Sequence, residues 1–279
     1  MFTCNSEEVR NLPDANFVYD VKDVAVQPYS PSRRRSVEHF WRITLVLLAD
    51  YRSTWTIQTF FGFVMPLGMI YLFKYIDSGL TQERAVFILG GNLVTSIAYG
   101  PVMLLMNRIG WSRQIRSFDY WANLPVSPLT WVLAMSAVSL LLALPGLIAV
   151  YVMGCLLLGL SMAGGLALLP LIPLATLSLT GVGAFLGAYA KNYQVANVLA
   201  NAVVGFVSFL SPIMIPMEHM PAPMQWIARL VPTTYAADGF RSVLAGNFGP
   251  GLAYDILILV LLMVVSLVAV HQKLNWRAA

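Results

Sequence analysis

Charge is what this sequence has least of. Only 11% of its 279 residues are Asp, Glu, Lys or Arg, where a soluble domain carries roughly a quarter. That deficit excludes an ordinary water-soluble fold, which needs a charged coat. Cysteine is scarce too. Cys4 falls in a polar tail and Cys155 in an apolar stretch, so no disulfide is expected between them. His39, His219 and His271 stand in separate segments without metal-ligand spacing. None of the four lysines follows a glycine, which rules out a GxxxxGK phosphate-binding loop. HExxH and GxSxG are missing as well, and no paired aspartates or Ser-His set falls within the apolar segments. The residues thus supply no catalytic group, metal site or cofactor motif, and an intramembrane enzyme finds no support.

What the sequence does have is long neutral runs. Hydrophobic residues make up 58% of the chain. Roughly 20 helical residues cross a hydrocarbon core about 30 Å thick. Ser53 to Phe73, Ala85 to Asn107, Asn192 to Met217 and Ile256 to Val270 are free of charge, and no charge falls between Asp119 and Lys191. The fold class is therefore all-α integral membrane. Six transmembrane helices are expected near 54–74, 86–106, 130–157, 166–190, 195–216 and 252–271. The glycine-rich stretch Gly159 to Gly165 is the expected hairpin turn between the third and fourth.

Residues 37–53 read differently. Phe40, Thr44, Leu47, Leu48 and Tyr51 share one helical face, and Arg42, Asp50 and Arg52 interrupt the others. This suits a helix lying along the membrane surface, with Arg33, Arg34 and Arg35 set to meet anionic headgroups. An ordinary cytoplasmic helix after a basic linker remains the plain alternative. Residues 1–36 form a polar tail with no apolar core segment, so no signal peptide is expected and the first span would act as an uncleaved one.

With the N-terminus inside, Arg33, Arg34, Arg35, Arg42, Arg52, Arg108, Arg113, Arg116, Lys191, Lys273 and Arg277 face the cytoplasm. Only Lys74, Arg84, Arg229 and Arg241 face the other side. The positive-inside rule then places both termini in the cytoplasm. The net charge of +4 follows from this topology. No nucleic-acid motif accompanies the basic residues, so nucleic acid is not an expected partner. No charge falls at mid-span, and Asp255 lies near the outer end of the last helix. A proton or sodium relay would need such a charge. Any energy for transport would have to come from another subunit.

The polar residues within spans are mild. Asn197 and Asn201 share a face of the fifth helix at i, i+4, and Asn92 and Ser96 do so in the second. They serve either to pack helices or to line a path. Gly183 and Gly187 make a small-residue face, and Pro66, Pro101, Pro145, Pro170 and Pro173 would kink or interrupt helices. Two loops carry more. Trp111 to Asn123 suits a short aromatic and basic helix, broken by Leu124-Pro125-Val126-Ser127-Pro128. On the other side, Met217 to Gly251 is apolar for a loop, and its prolines divide it into helices near 223–230 and 234–245. Such a hairpin would dip into the membrane or cap a cavity.

These pieces resemble the ABC-2 permease family, the six-helix membrane half of certain ATP-driven exporters. Tyr120 to Pro128 is similar to that family's block ending L-x-x-x-P-V-S. Pro212 to Pro216, followed by Leu230-Val231-Pro232-Thr233-Thr234-Tyr235-Ala236-Ala237-Asp238-Gly239-Phe240-Arg241, resembles P-hydrophobic-P … N-P-x-T-Y-x-x-D-x-x-R. The match covers residues 37–275 and departs from the pattern at Val231 and in the tail. The resemblance implies a transmembrane domain at 37–279, pairing with an identical or related permease subunit in the cell membrane of a prokaryote. It implies a separate cytoplasmic ABC ATPase that binds the ATP, with no cofactor held by this chain. The loop between the second and third helices would be the coupling helix, carried by Arg113, Gln114, Arg116, Ser117, Phe118 and Asp119. Asn92, Asn197 and Asn201 would line the translocation path, and Glu218, His219 and Asp238 would mark an outer gate. A local Asp238–Arg241 pair and simple solvation of Glu218 and His219 remain the plainer readings of that last group. The apolar lining with a few amides points to a hydrophobic or amphipathic drug- or lipid-like export substrate. A polysaccharide or glycolipid permease, or a non-transporting scaffold that recruits a cytoplasmic partner, are the alternatives.

Overall fold

The structure, a computed structural model, describes residues 33–52, 55–76, 79–123, 127–210 and 216–273. The tail at 1–32, Leu124-Pro125-Val126, the stretch 211–215 and Arg277 lie outside those residues. What is described is helical, with no strand among the described residues. Four helical segments there are long and apolar enough to cross a membrane: Gln82–Gln114, Pro128–Leu158, Gly165–Gly187 and Pro250–Lys273. The two other expected segments are occupied by α2 (Trp55–Ile76), with its apolar part Gly62–Ile76, and α9 (Tyr193–Leu210).

The first helix, α1 (Arg33–Asp50), is amphipathic in the expected sense. Ile43, Thr44 and Leu47 are buried, while Trp41 and Val46 stay about 60% exposed. Its buried face packs on α6 (Pro128–Leu158), against Trp131 and Met135. The second expected span is longer than its uncharged stretch. Helix α3 (Gln82–Ile97), capped by the Thr81 hydroxyl, runs through a π-turn at Ala98–Val102 into α4 (Met103–Gln114). Arg108 and Arg113 ride on that extension, which the charge-free criterion had cut at 106. Pro101 sits in the π-turn. It has no N–H to offer the preceding turn, and the wider π geometry absorbs the defect without ending the helix.

Gly159 ends α6 in the left-handed region (φ 68°), as the glycine-rich hairpin required. A 3₁₀ turn (Met162–Gly164) and α7 (Gly165–Leu168) follow, then α8 (Leu171–Gly187). Gly183 and Gly187 do what small residues do between helices. A Cβ at Gly183 would lie 2.8 Å from Val102 Cγ1, and one at Gly187 3.4 Å from the Met106 Cα. Their absence seats α8 directly on α4. The hairpin near 223–245 forms as α10 (Ala222–Leu230) and α11 (Pro232–Leu244). It is no surface loop: Ala236, Ala237 and Phe240 are fully buried, and α11 packs on α3, α8 and α12 (Pro250–Lys273).

Helices α4 and α9 approach closely at a glycine. A Cβ at Gly110 would collide with the Ala196 methyl and lie 2.9 Å from the Asn192 carbonyl oxygen and 3.2 Å from the Tyr193 Cα. Two of those neighbours are backbone and cannot swing aside. Gly110→Ala is therefore expected to cost about 1–3 kcal/mol, read as a lowered Tm in detergent or nanodiscs. Gly68→Ala, where nothing lies within 4 Å of the new methyl, should hold Tm or raise it slightly, since Ala is the better helix former. Equal behaviour of the two variants would refute this packing.

Candidate functional site

Three helices bring a proline and a glycine to the same level. Gly62 and Pro66 lie on α2, Gly100 and Pro101 in the π-turn, and Pro145 and Gly146 on α6. Gly62, Gly100 and Gly146 line one cavity of about 350 Å³. Proline deprives the carbonyl four residues earlier of its helical donor, and in an apolar surrounding that carbonyl must be re-satisfied. For Pro66 the orphan is the Gly62 carbonyl, and the Ser96 hydroxyl donates to it at 2.7 Å. Beside Pro145, the Leu142 carbonyl accepts from the Thr59 hydroxyl at 3.1 Å. The glycines leave space at the helix faces, and Ser96 and Thr59, which bond these carbonyls, form part of the cavity wall.

The expected path residues separate here. Asn92 is buried and donates to the Ile88 carbonyl of its own helix at 2.8 Å. It lines none of the cavities described here. Asn201 does line this one, and Asn197 supports it. Asn201 Nδ2 donates to the Asn197 carbonyl (2.8 Å) and to Asn197 Oδ1 (3.1 Å), and Asn197 Nδ2 donates to Asn107 Oδ1 (3.4 Å). Asn107 and Tyr99, which the sequence reading did not single out, complete the polar lining. A signal for them existed: Ser96, Tyr99, Met103 and Asn107 recur at three- and four-residue steps, one stripe of a helix. A second, more apolar cavity of about 530 Å³ shares Met65 and Tyr99 with the first and continues along α2 past Gly68 and Leu72. A third, of about 920 Å³, begins at Phe73 and Ile76. The three succeed one another along α2.

The expected coupling residues lie at the far end of α4. The chain turns at Arg116, the one non-glycine residue with positive φ (55°) among the described residues, into α5 (Ser117–Ala122). The expected single helix from Trp111 to Asn123 is thus split by that turn. Arg113 Nη1 donates to the Ala190 carbonyl at 2.9 Å. Gln114 Oε1 accepts from the Tyr193 N–H at 3.2 Å. Trp111 meets Tyr193 edge to face. Ser117 Oγ donates to the Ser112 carbonyl, and Phe118 packs edge-on against buried Trp131. Arg116, Ile115 and Tyr120 are exposed. The Asp119 side chain lies outside the described residues. Next to this turn, Arg108 bridges Asp50 at 2.6 Å and stands over the Tyr51 ring. Burial pushes the Tyr51 hydroxyl up to about 12, with Arg108 opposing the shift and Asp50 adding to it.

At the opposite end Glu218, His219 and Asp238 do come together, with Glu83, Arg84 and Arg241 around the third cavity. Arg241 is its anchor. Nη1 donates to Asp238 Oδ1 at 2.8 Å, Nε donates to the Phe87 carbonyl at 3.3 Å, and the guanidinium lies 3.6 Å from the Phe87 ring centre. Gly90 makes the approach possible, since a Cβ there would sit 2.7 Å from Arg241 Cγ. Burial draws the Arg241 guanidinium below its usual value and Asp238 counteracts it. Removing one partner leaves a buried charge behind, while replacing both with apolar groups often costs little. Because the Asp238 side chain is partly exposed and Arg241 keeps the Phe87 carbonyl, Asp238→Asn should destabilise by only about 0.5–1.5 kcal/mol, and Asp238→Leu combined with Arg241→Met should recover most of that loss in thermal unfolding. A double variant worse than the single would contradict this account.

No curated protein matches the sequence. The family model described as ABC-2 type transporter matches residues 34–245. That stretch begins with α1 and takes in the cavity, the α4–α5 turn and the α10–α11 hairpin. The chain belongs to the ABC-2 type transporter family.

Proposed function

We propose that this chain is the permease subunit of an ATP-driven exporter, moving a hydrophobic or amphipathic substrate out of the cytoplasm or the inner leaflet. ATP is bound and hydrolysed by a separate ABC ATPase, and a second permease subunit completes the assembly. Helices α2 and α9 join the four long segments to make six spans, an even number as an inside N-terminus and inside C-terminus require. The excess of Lys and Arg at the α4–α5 end supports placing that end, and both termini, in the cytoplasm. The protein would then be a multi-pass protein of a prokaryotic cell membrane.

One observation carries the reading: the α4–α5 turn exposes one side and is locked on the other. Its exposed side offers Ile115, Arg116 and Tyr120 to a partner. Its inner side holds the start of α9 through Arg113, Gln114 and Trp111, and α9 carries Asn197 and Asn201 to the cavity. A push on the turn therefore reaches the cavity through packed backbone. In the mechanism, ATP closes the paired ATPases, the two turns shift, and the membrane halves alternate between inward and outward openings. The succession of cavities along α2 supports a path ending at Glu218, His219 and Asp238. A cavity of this size and apolarity favours a compact substrate over a long glycan.

The test is copurification with an ABC ATPase co-expressed with this chain. Arg116→Glu should release the ATPase or cut ATP turnover by the complex about tenfold or more. Arg113→Met should keep the ATPase bound but lower substrate stimulation of turnover, because the strap to α9 is weakened. If no ATPase copurifies and both variants match wild type, the exporter reading fails.

A further inference from the structure

The lining of the first cavity contains no ionised side chain among the described residues. Arg108 follows Asn107 directly, yet its guanidinium is turned to Asp50 and Tyr51. The hydroxyls of Thr59, Ser96 and Ser139 all donate to backbone carbonyls. What remains for a ligand is the Tyr99 hydroxyl and the asparagine chain, whose amide orientations follow from chemistry. A backbone carbonyl only accepts, so the Asn201 NH₂ must face the Asn197 carbonyl, which turns the Asn201 oxygen away. Asn197 Oδ1 also accepts from that NH₂, so the Asn197 NH₂ faces Asn107 and requires an oxygen there. The Asn107 NH₂ is therefore the end of the chain left over. Asn107 offers N–H donors and Asn201 offers a carbonyl acceptor, both on the wall of one apolar cavity.

We propose that this cavity is a binding site for uncharged small molecules bearing a paired donor and acceptor, such as a carboxamide, read by Asn107 and Asn201. A carboxamide oxygen accepts from Asn107 and its N–H donates to Asn201. A carboxylate or an ammonium meets no counter-charge there and gives up its hydration without replacement. The cavity, about 350 Å³, lies at the small end of the drug-sized range. The Tyr99 ring shared with the second cavity adds an aromatic wall. The site deepens the export reading by naming a substrate class, and it rests on that reading only for what happens after binding.

The experiment uses the subunit with its ATPase in nanodiscs, without nucleotide, and empty nanodiscs as the partitioning control. Naphthamide, naphthoate and naphthyltrimethylammonium are the probes, and equilibrium binding is the readout. Naphthamide should bind about tenfold or more tighter than either charged probe. Asn107→Asp supplies an anion and should reverse the order in favour of naphthyltrimethylammonium. Asn201→Asp should do the same, and it serves if the first variant does not fold. Equal binding of the three probes to wild type, or an unchanged order in the folded Asp variants, overturns the proposal. In proteoliposomes given ATP, selective naphthamide binding without transport would sink the exporter reading and leave the site standing. Efflux with an unchanged order would do the reverse.

Discussion

A carbonyl without a donor is costly in hydrocarbon, and this architecture is arranged around that cost. Pro66 interrupts the α2 ladder and Ser96 repairs its orphaned Gly62 carbonyl from α3, while Thr59 on α2 bonds the Leu142 carbonyl in the turn of α6 that holds Pro145. These bonds join α2 to α3 and α2 to α6 at one level. Helices joined by side chain-to-backbone bonds at proline sites are held at their weak points, where they bend most readily. Glycines at the same level keep the helix faces thin. A cavity results where three pliable helices meet, so that the opening and its means of changing shape share one origin.

The α3–α4 rod is anchored at both ends by the same chemistry. At one end Arg108 lies between Asp50 and the Tyr51 ring. At the other, Arg241 lies between Asp238 and the Phe87 ring. Each arginine satisfies a carboxylate and covers an aromatic face, which a lysine could not do with the same geometry. The first clamp ties the rod to α1, and the second ties it to α11. The rod is fixed to α1 and to the α10–α11 hairpin, with its cavity between them. Motion imposed at the α4–α5 turn is thus shared with α1 and α9 together.

Much of this was legible in the sequence because apolar length and charge placement are local signals. The Gly159 turn, the α10–α11 division at Pro232 and the amphipathic α1 follow from residues within a few positions of one another. The end of α3–α4 was misjudged because an uncharged run measures where charge stops, whereas a helix continues as long as its charges find partners, as Arg108 and Arg113 do. Asn92 and Asn201 look alike in sequence, both at i, i+4 spacing with a polar neighbour. They part because Asn92 is enclosed by its own bundle and Asn201 opens on a cavity, a distinction made only by long-range packing. Asn107 was passed over for the same reason, since its value comes from Asn197, ninety positions away.

The π-turn at Ala98–Val102 has a consequence in rotational phase. A π-turn accommodates one residue beyond the α-helical repeat, so α3 and α4 keep separate angular registers about one axis. Each residue of an α-helix advances about 100°. If the turn were instead wound as regular α-helix with every residue kept, everything beyond it would swing by about that angle relative to α3. Asn107 would leave the cavity wall, Arg108 would leave Asp50, and Gly110 would leave the one place on α9 that admits it. Change in this part of the chain is therefore constrained in number as well as in kind: substitutions are tolerated or not one at a time, but a single insertion or deletion that the π-turn does not absorb re-aims every contact from the cavity to the α4–α5 turn at once.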